Sequence, residues 1–390
     1  MLHDFFVDLH IHVGRNYKGK PVKITASKNL TITNIMEEAS QRKGIDIVGV
    51  IDCHAPTVLT EIEESIAMDN AFELEEGGIR YSNTTLILGS EIEVYDENCN
   101  GPIHVLCYFP YLDNMQQFSN WLSQHMKNIE LSSQRYYGSA IDLQKKTKEL
   151  QGIFIPAHVF TPFKSLFGKG GVSSTLEEIF DPNLIDAIEL GLSSDSFMAD
   201  QIAELHRFSF VTNSDAHSLG KIAREYQQMY LENPTFLELK AALLTQNNRR
   251  IKQNFGMNPR LGKYYATVCS QCLSRTSEEG KCSECGSTKY IKGGVADRIQ
   301  ELSSQQSDPP VRPDYIYQVP LEYLPGLGPK TLDRLLQHFG TEMNVIHYVP
   351  EQALIEIVGE KLTQLIINLR QGRINLTEGG GGKYGKIRNE

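Results

Sequence analysis

The sequence predicts an α/β fold closed into a barrel over residues 1–240, followed by a small four-cysteine unit and a C-terminal helical segment. Three observations carry this. β-Branched and aromatic runs alternate with amphipathic stretches through the first part, four cysteines fall in paired Cys-x2-Cys steps, and a Pro-Gly-Leu-Gly turn sits in an apolar helical pattern behind a proline-rich stretch. At 390 residues the chain has room for two or three domains, one of them a barrel of ordinary size.

The runs FFVDLHI, IDIVGVI, TLILGSEIEV, IHVLCYF, IFIPAH, IDAIEL, FSFVTN and QQMYL follow one another through residues 1–239. Helix candidates lie between most of them, such as NIMEEASQRKG closed by Gly44, FSNWLSQHMKNIE and FMADQIAELHRF. Strands alternating with helices imply a mostly parallel sheet, and eight runs favour closure. Residues 241–302 hold a basic segment with the cysteine unit, and residues 303–317, with SSQQSDPPVRP, have linker composition. Residues 318–376 are helical in pattern, and residues 377–390 form a glycine-rich basic tail expected to be flexible.

The 40% hydrophobic and 22% charged composition is that of a soluble globular protein, and no apolar run approaches the roughly 18–20 residues that span a bilayer. The N-terminus MLHDFFVDLH has no signal-peptide pattern, so the expectation is a cytoplasmic protein without a membrane partner. Seven cysteines, four of them clustered, read as metal binding in a reducing compartment. The net charge of −10 is unevenly spread. Residues 240–300 carry eleven Lys and Arg against four Asp and Glu, and residues 301–390 nine against eleven, which leaves −15 for residues 1–239. A basic middle beside an acidic first part suits a phosphate-tracking segment next to a cation-binding one.

The first strand ends in Asp8-Leu9-His10-Ile11-His12, and strand alternation puts His10 and His12 on one face, as two ligands of one cation require. Further candidates stand at or near strand ends: Asp52 and His54, Glu91, His104, His158, and Asp215 with His217. An α/β barrel places its active site at that end. Six histidines and three carboxylates there would otherwise be costly polar groups with no shared purpose. Mixed imidazole and carboxylate ligation suits Zn²⁺, Mn²⁺ or Fe²⁺, and the number of ligands implies two or three ions, a kind of cluster that cleaves phosphate esters.

This succession of motifs resembles the PHP (polymerase and histidinol phosphatase) family. The resemblance covers residues 1–240 and implies a PHP-type distorted (β/α)7 barrel with phosphoesterase activity. It places His10, His12, His54, Glu91, His104, His158, Asp215 and His217 on metal ligands, with Asp215, Glu91 and His217 catalytic. Two departures bear on the third metal position. An adjacent Asp-His pair is replaced by Asp52-Cys53-His54, and VGRNYKGKPV lacks the His or Asp often found shortly after the His-x-His pair, which makes Asp52 a second-rank candidate.

Cys269, Cys272, Cys282 and Cys285 have the spacing of two knuckles closing on a tetrahedral structural Zn²⁺. Basic residues interleaved with Tyr264 and Tyr265 suit a phosphate backbone and stacked bases, although tyrosines packing the small core explain them as simply. The stretch LEYLPGLGPKTLDRLLQHFG resembles a helix-hairpin-helix, in which Gly326 and Gly328 let the backbone approach a phosphate and Lys330 adds charge. Val358-Gly359-Glu360-Lys361 is a weaker second copy. The loop HVFTPFKSLFGKGGVSS offers Lys164 and Lys169, with glycines permitting close approach.

Barrel, zinc unit and hairpin in this order resemble the endonuclease Q family. The resemblance implies cleavage of DNA 5′ of a deaminated base (uracil, hypoxanthine or xanthine) or an abasic site, with catalytic Zn²⁺, Mn²⁺ or Mg²⁺. It makes damaged DNA the substrate and leaves DNA-repair or replication proteins as further partners. A small-molecule phosphoesterase of the histidinol phosphatase kind, a PHP-type exonuclease and a non-catalytic DNA-binding scaffold stay open as alternatives.

Overall fold

All eight runs form strands: β1 (His3–Ile11), β2 (Ile47–Val50), β3 (Thr84–Val94), β4 (Ile103–Phe109), β5 (Ile153–Pro156), β6 (Ala187–Glu189), β7 (Ser209–Val211) and β8 (Tyr226–Leu231). The computed structural model describes every residue except 169–170, 173, 263–264, 266–267, 270, 273–280, 292–293, 304–307, 374–375, 378–385 and 388–390. The first three strands run parallel, β4 is antiparallel to both β3 and β5, and β6 pairs in parallel with β7. Two seams close the ring by isolated backbone bonds. Asp186 N–H donates to Phe154 O at 3.0 Å, while Ala216 N–H donates to His10 O at 3.0 Å and His12 N–H to Ala216 O at 3.1 Å. A reversed strand and two unzipped seams make the barrel distorted.

The ring's interior is filled by Leu9, Ile51, Ile87, Leu106 and Ile155, with the buried Tyr108 hydroxyl donating to Leu9 O at 2.7 Å. The eighth run lies outside the ring, because β8 pairs antiparallel with the first half of β1. It is continued by β9 (Arg250–Gly256), antiparallel to β8. Past a small hairpin of β10 (Val268–Cys269) and β11 (Tyr290–Ile291), β12 (Asp314–Tyr317) returns to pair in parallel with β9. One sheet therefore runs through the boundary expected at residue 240 and ends the stretch read as a linker.

Helices α1 (Ile32–Glu37), α2 (Pro56–Ala67), α3 (Leu112–Ser123), α4 (Ala140–Glu149) and α5 (Phe236–Leu243) cover the sheet, and α6 (Val295–Leu302) follows the cysteine unit. The NIMEEASQRKG helix ends at Gly44 with φ 80°, as its composition predicts. Two expected helices differ. The one expected over residues 118–130 is α3, which stops at Ser123 because the chain beyond it turns inward, where Ser132 N–H donates to Val22 O at 3.0 Å. The one expected over residues 197–208 breaks into short turns at Ser196–Ala199 and Ala203–Arg207. There Arg312 pairs with Asp200 at 2.9 Å and caps the Leu205 and Phe208 carbonyls, a long-range claim on a helix that local pattern alone would continue.

In the C-terminal segment, α7 (Pro329–Phe339), α8 (Glu342–His347) and α9 (Glu351–Arg370) form the hairpin unit, with a short 3₁₀ turn at Leu321–Tyr323 where its first helix was expected. Gly359 has φ 76° and ψ 166° inside α9, so this element is two helices joined at the predicted second hairpin. A buried Lys43–Glu342 pair at 2.9 Å docks the unit on the barrel. His347 stacks on Phe6 at 4.7 Å between centroids, and its Nε2 lies 2.7 Å from the Tyr226 hydroxyl. Among the described residues no helix is long and apolar enough to cross a membrane.

This joint carries a pH dependence. Burial, helped by Arg370, pushes the His347 imidazole down to about 3, whereas the unfolded chain takes a proton near 6.5. A depressed folded value means the stability is full above pH 6.5 and is lost as pH falls toward 3, at about 1.4 kcal/mol per pH unit for this one group. Denaturant unfolding at pH 6.5 and pH 5.5 should show a smaller loss in His347→Gln than in the native protein. Equal losses would show that His347 does not couple to folding.

Candidate metal centre and nucleic-acid face

β1 carries His10 and His12 at the open end of the ring, beside an irregularity in its register with β2 between Asp8 and Ile11, and both are fully buried. Each is oriented by a carboxylate behind it. His10 Nδ1 lies 3.0 Å from Glu189 Oε1, and His12 Nδ1 lies 3.1 Å from Asp52 Oδ2. His104 Nε2 has no hydrogen-bond partner among the described residues and lies 3.9 Å from Glu93 Oε2, whereas the Nε2 atoms of His10 and His12, also without one, both face Glu91, at 3.5 and 3.6 Å. Orphaned imidazole nitrogens aimed at one point, each fixed through its other nitrogen, are what a cation requires.

Glu91, at the end of β3, stands at the centre. His10 Nε2 is 3.5 Å from its Oε1, His12 Nε2 3.6 Å from its Oε2, His104 Nδ1 2.8 Å from Oε1 and His158 Nε2 3.3 Å from Oε1. Asp215 Oδ1 lies 3.5 Å from both His10 Nε2 and His12 Nε2, and 3.5 Å from His217 Nδ1. Three groups of potential ligand atoms result: His10, His12 and Glu91; His12, Asp215 and His217; and Glu91, His104 and His158. Burial would raise the Glu91 carboxyl, but His104 and Lys23 hold it well below the usual range. Asp215, opposed in the same way by burial, is held well below it by His10 and His12. Both stay ionised, ready for a cation. His158 at φ 30° and Asp215 at φ 45° sit in the left-handed region, a backbone cost that clusters at functional sites.

His54 is placed differently from the expectation. Its Nδ1 accepts from Ser90 Oγ at 2.7 Å, its Nε2 lies 3.4 Å from Leu131 O, and it joins none of the three groups. The chain leaves β2 after Val50 and turns, and beyond the turn the His54 imidazole is held on Ser90 and Leu131. Asp52, the second-rank ligand candidate, instead holds His12 Nδ1 and accepts from Val13 N–H at 2.8 Å. It is a positioning residue. Asp52→Ala should weaken metal affinity in the barrel by about 10- to 100-fold with the fold intact. Calorimetric metal titration beside circular dichroism checks this, and unchanged affinity would remove Asp52 from the support of the centre.

Residues not foreseen complete the site. Glu189 closes the run IDAIEL at a strand end, the signal that marked the other candidates. Lys23 Nζ lies 3.2 Å from Glu91 Oε2 and 2.7 Å from Ser133 Oγ, and Ser133 Oγ also donates to Glu91. No local pattern distinguishes either Lys23 or Ser133.

The four cysteines form one further group. Cys269 and Cys285 Sγ are 3.4 Å apart and Cys272 and Cys282 Sγ 3.5 Å, near the roughly 3.8 Å edge of a Zn–S tetrahedron. Gln271 N–H donates to Cys269 Sγ at 3.4 Å, and Gly286 with φ 72° turns the second knuckle.

Over the length of the chain the solved structures agree with this architecture. The lesion-specific endonuclease PfuEndoQ of Pyrococcus furiosus has a TM-score of 0.85 and 29% identity, over 99% of this chain and 95% of that one. An endonuclease Q bound to a 27-mer duplex with an abasic lesion at its active site has a TM-score of 0.81 and 30% identity, over 100% of this chain and 97% of that one. The chain belongs to the endonuclease Q family. It is 53% identical over 384 residues to the uncharacterized protein YqxK of Bacillus subtilis (strain 168), covering 98% of this chain and 99% of that protein. No family model matches the sequence.

In this member of the endonuclease Q family the candidate ligands His12, Glu91, His104, His158, Asp215 and His217 floor a cleft of about 1260 Å³. Its walls come from the loop after β5, with Phe163 and Lys164, from Met257 to Tyr265 ahead of the cysteine unit, and from Tyr323 and Pro325 of the hairpin. Tyr265 lines it, whereas Tyr264 and Lys169 lie outside the described residues. Lys164 pairs with Glu93 at 2.9 Å. A Cβ on Gly168 or Gly171 would stand 2.2 Å from Thr161 O or 1.5 Å from Leu166 O, so these glycines serve the loop's own closure. Gly326 has φ 85°, Gly328 caps the start of α7, and Lys330 is exposed in the first turn of α7.

Proposed function

We propose that this nuclease initiates DNA repair by hydrolysing the phosphodiester 5′ of a deaminated base (uracil, hypoxanthine or xanthine) or an abasic site. The observation that carries the reading is the convergence of His10 with His12, Glu91, His104, His158, Asp215 and His217, the last six of them at the floor of one cleft walled by the segments expected to hold DNA. When bound there, two or three divalent ions (Zn²⁺, Mn²⁺ or Mg²⁺) supply Lewis-acid stabilisation of the phosphate and a nucleophilic water at neutral pH.

The chain's own residues divide the remaining work. Glu91 and Asp215 bring the negative charge that holds cations together, and Glu189 and Asp52 fix the imidazoles that complete the shell. The four cysteines hold a structural Zn²⁺ that rigidifies the wall carrying Tyr265, placed to stack on a base turned out of the helix. Gly326, Gly328 and Lys330 present backbone N–H groups and charge to a phosphate at the rim. Products with 3′-hydroxyl and 5′-phosphate ends follow from attack at phosphorus with departure of the 3′ oxygen.

End-labelled duplexes carrying one uracil, hypoxanthine, xanthine, abasic site or normal base, incubated with Mg²⁺, Mn²⁺ or Zn²⁺, test this. A single cut immediately 5′ of the lesion is expected. Cutting only from DNA ends would identify an exonuclease, and release of phosphate from sugar phosphates alone would identify a small-molecule phosphoesterase.

A further inference from the structure

The three ligand groups cannot each hold an ion independently. His12 belongs to two of them, its Nδ1 is engaged by Asp52, and one imidazole nitrogen binds one ion. With His12 Nε2 given to the ion at His10 and Glu91, the second group keeps only Asp215 and His217. His54, expected as a further metal ligand, is turned onto Ser90. In place of a further ligand the structure puts a cation. Lys23, from the stretch that follows the His-x-His pair, lies 3.2 Å from Glu91 Oε2 and 2.7 Å from Ser133 Oγ.

We propose that the Lys23 ammonium is the third cation of this centre: the barrel binds two divalent ions, and Lys23 donates to a non-bridging oxygen of the scissile phosphate. An ammonium has three N–H donors, and Glu91 and Ser133 take two. The third opens onto the cleft that Lys23 lines with Asp215 and His217, while the side chain is only 15% exposed. Burial gives such a donor more effect on developing phosphate charge than it would have in water. Charge balance agrees. Asp52, Glu91, Glu189 and Asp215 lie in or directly behind the centre, so two dications neutralise them and Lys23 supplies the net positive charge that draws a phosphodiester.

This inference rests on the reading of the barrel as a metal-dependent DNA-cleaving centre, and its test separates the two. Metal content per chain would be measured on the full-length protein equilibrated with Mn²⁺ and Zn²⁺, together with turnover on an abasic duplex, for the native protein, Lys23→Met and Lys23→Arg. Met keeps the packing of the stem and removes the charge. The native chain should carry two ions beyond the one at the four cysteines. Lys23→Met should keep both and lose about 10²-fold in kcat with KM within a few-fold, and Lys23→Arg should recover part of that loss. A third barrel ion in the native protein, or Lys23→Met turnover within about threefold of native, would overturn the proposal. Loss of barrel ions from Lys23→Met would do so too, making Lys23 a support for Glu91. Were the native protein not to cut the abasic duplex at all, the repair reading would fail, and the ion count would still decide the number of cations.

Discussion

Asp215→Asn is expected to lower kcat on an abasic-site duplex by about 10³-fold or more while leaving duplex affinity within a few-fold. Asp215 Oδ1 is 3.5 Å from each of three imidazole nitrogens, on His10, His12 and His217, so it is the carboxylate that joins the β1 pair to the late strand-end histidine. Asparagine keeps its shape and tolerates the left-handed φ of 45°, so the fold should survive. What is lost is the negative charge that holds a cation. Metal-supplied charge stabilisation of several kcal/mol, at 1.36 kcal/mol per decade, gives the expected loss. Duplex affinity should change little because most of the attraction comes from phosphate contacts along the duplex outside the reacting centre. Single-turnover cleavage beside fluorescence-anisotropy binding distinguishes the two effects, and cleavage near the native rate would withdraw the metal-centre assignment.

Cys282→Ser should remove one zinc per chain and unfold the unit around β10 and β11 without lowering the barrel's melting temperature. Each of these strands is two residues long, too small to hold a fold by apolar burial. Ion binding at a four-cysteine site contributes about 10–16 kcal/mol, which in so small a unit is its folding free energy. Cys282 is buried at the knuckle, with its N–H on Ser287 O and its carbonyl accepting from Gly286, both at 2.8 Å. Serine keeps these backbone bonds but opens the ion shell, and without the ion so short a turn does not hold the unit. Because Met257 to Tyr265 wall the cleft immediately before this unit, we expect cleavage of a lesion duplex to fall by more than about 10²-fold while the barrel ions stay bound. Limited proteolysis, metal analysis and calorimetry would show it. A protease-resistant unit in the zinc-free variant would mean that packing, not the ion, holds it.

The eight strands, the Gly44 helix stop and the second hairpin at Gly359 were legible because each is local: period-two alternation, a left-handed C-cap and a glycine turn depend on a few neighbouring residues. Candidate ligands were legible for the same reason, since a histidine or carboxylate at the end of an apolar run has few structural uses. The same logic would have reached Glu189, had its strand end been read like the rest.

Residues far apart in the chain had to wait for tertiary structure. The bonds from Lys23 to Ser133 and Glu91 span more than sixty residues each, and no period connects them. His54 lies apart from the three groups because the chain leaves β2 after Val50 and turns, which alternation on an unbroken strand could not anticipate. The sequence by itself determined which side chains could bind metal and where the strands that carry them run, because pattern and residue chemistry act locally. Only the tertiary structure decided which of those side chains meet, which merely orient others, and that a lysine stands among them, because ring closure and side-chain packing bring together atoms whose separation along the chain leaves no trace in composition.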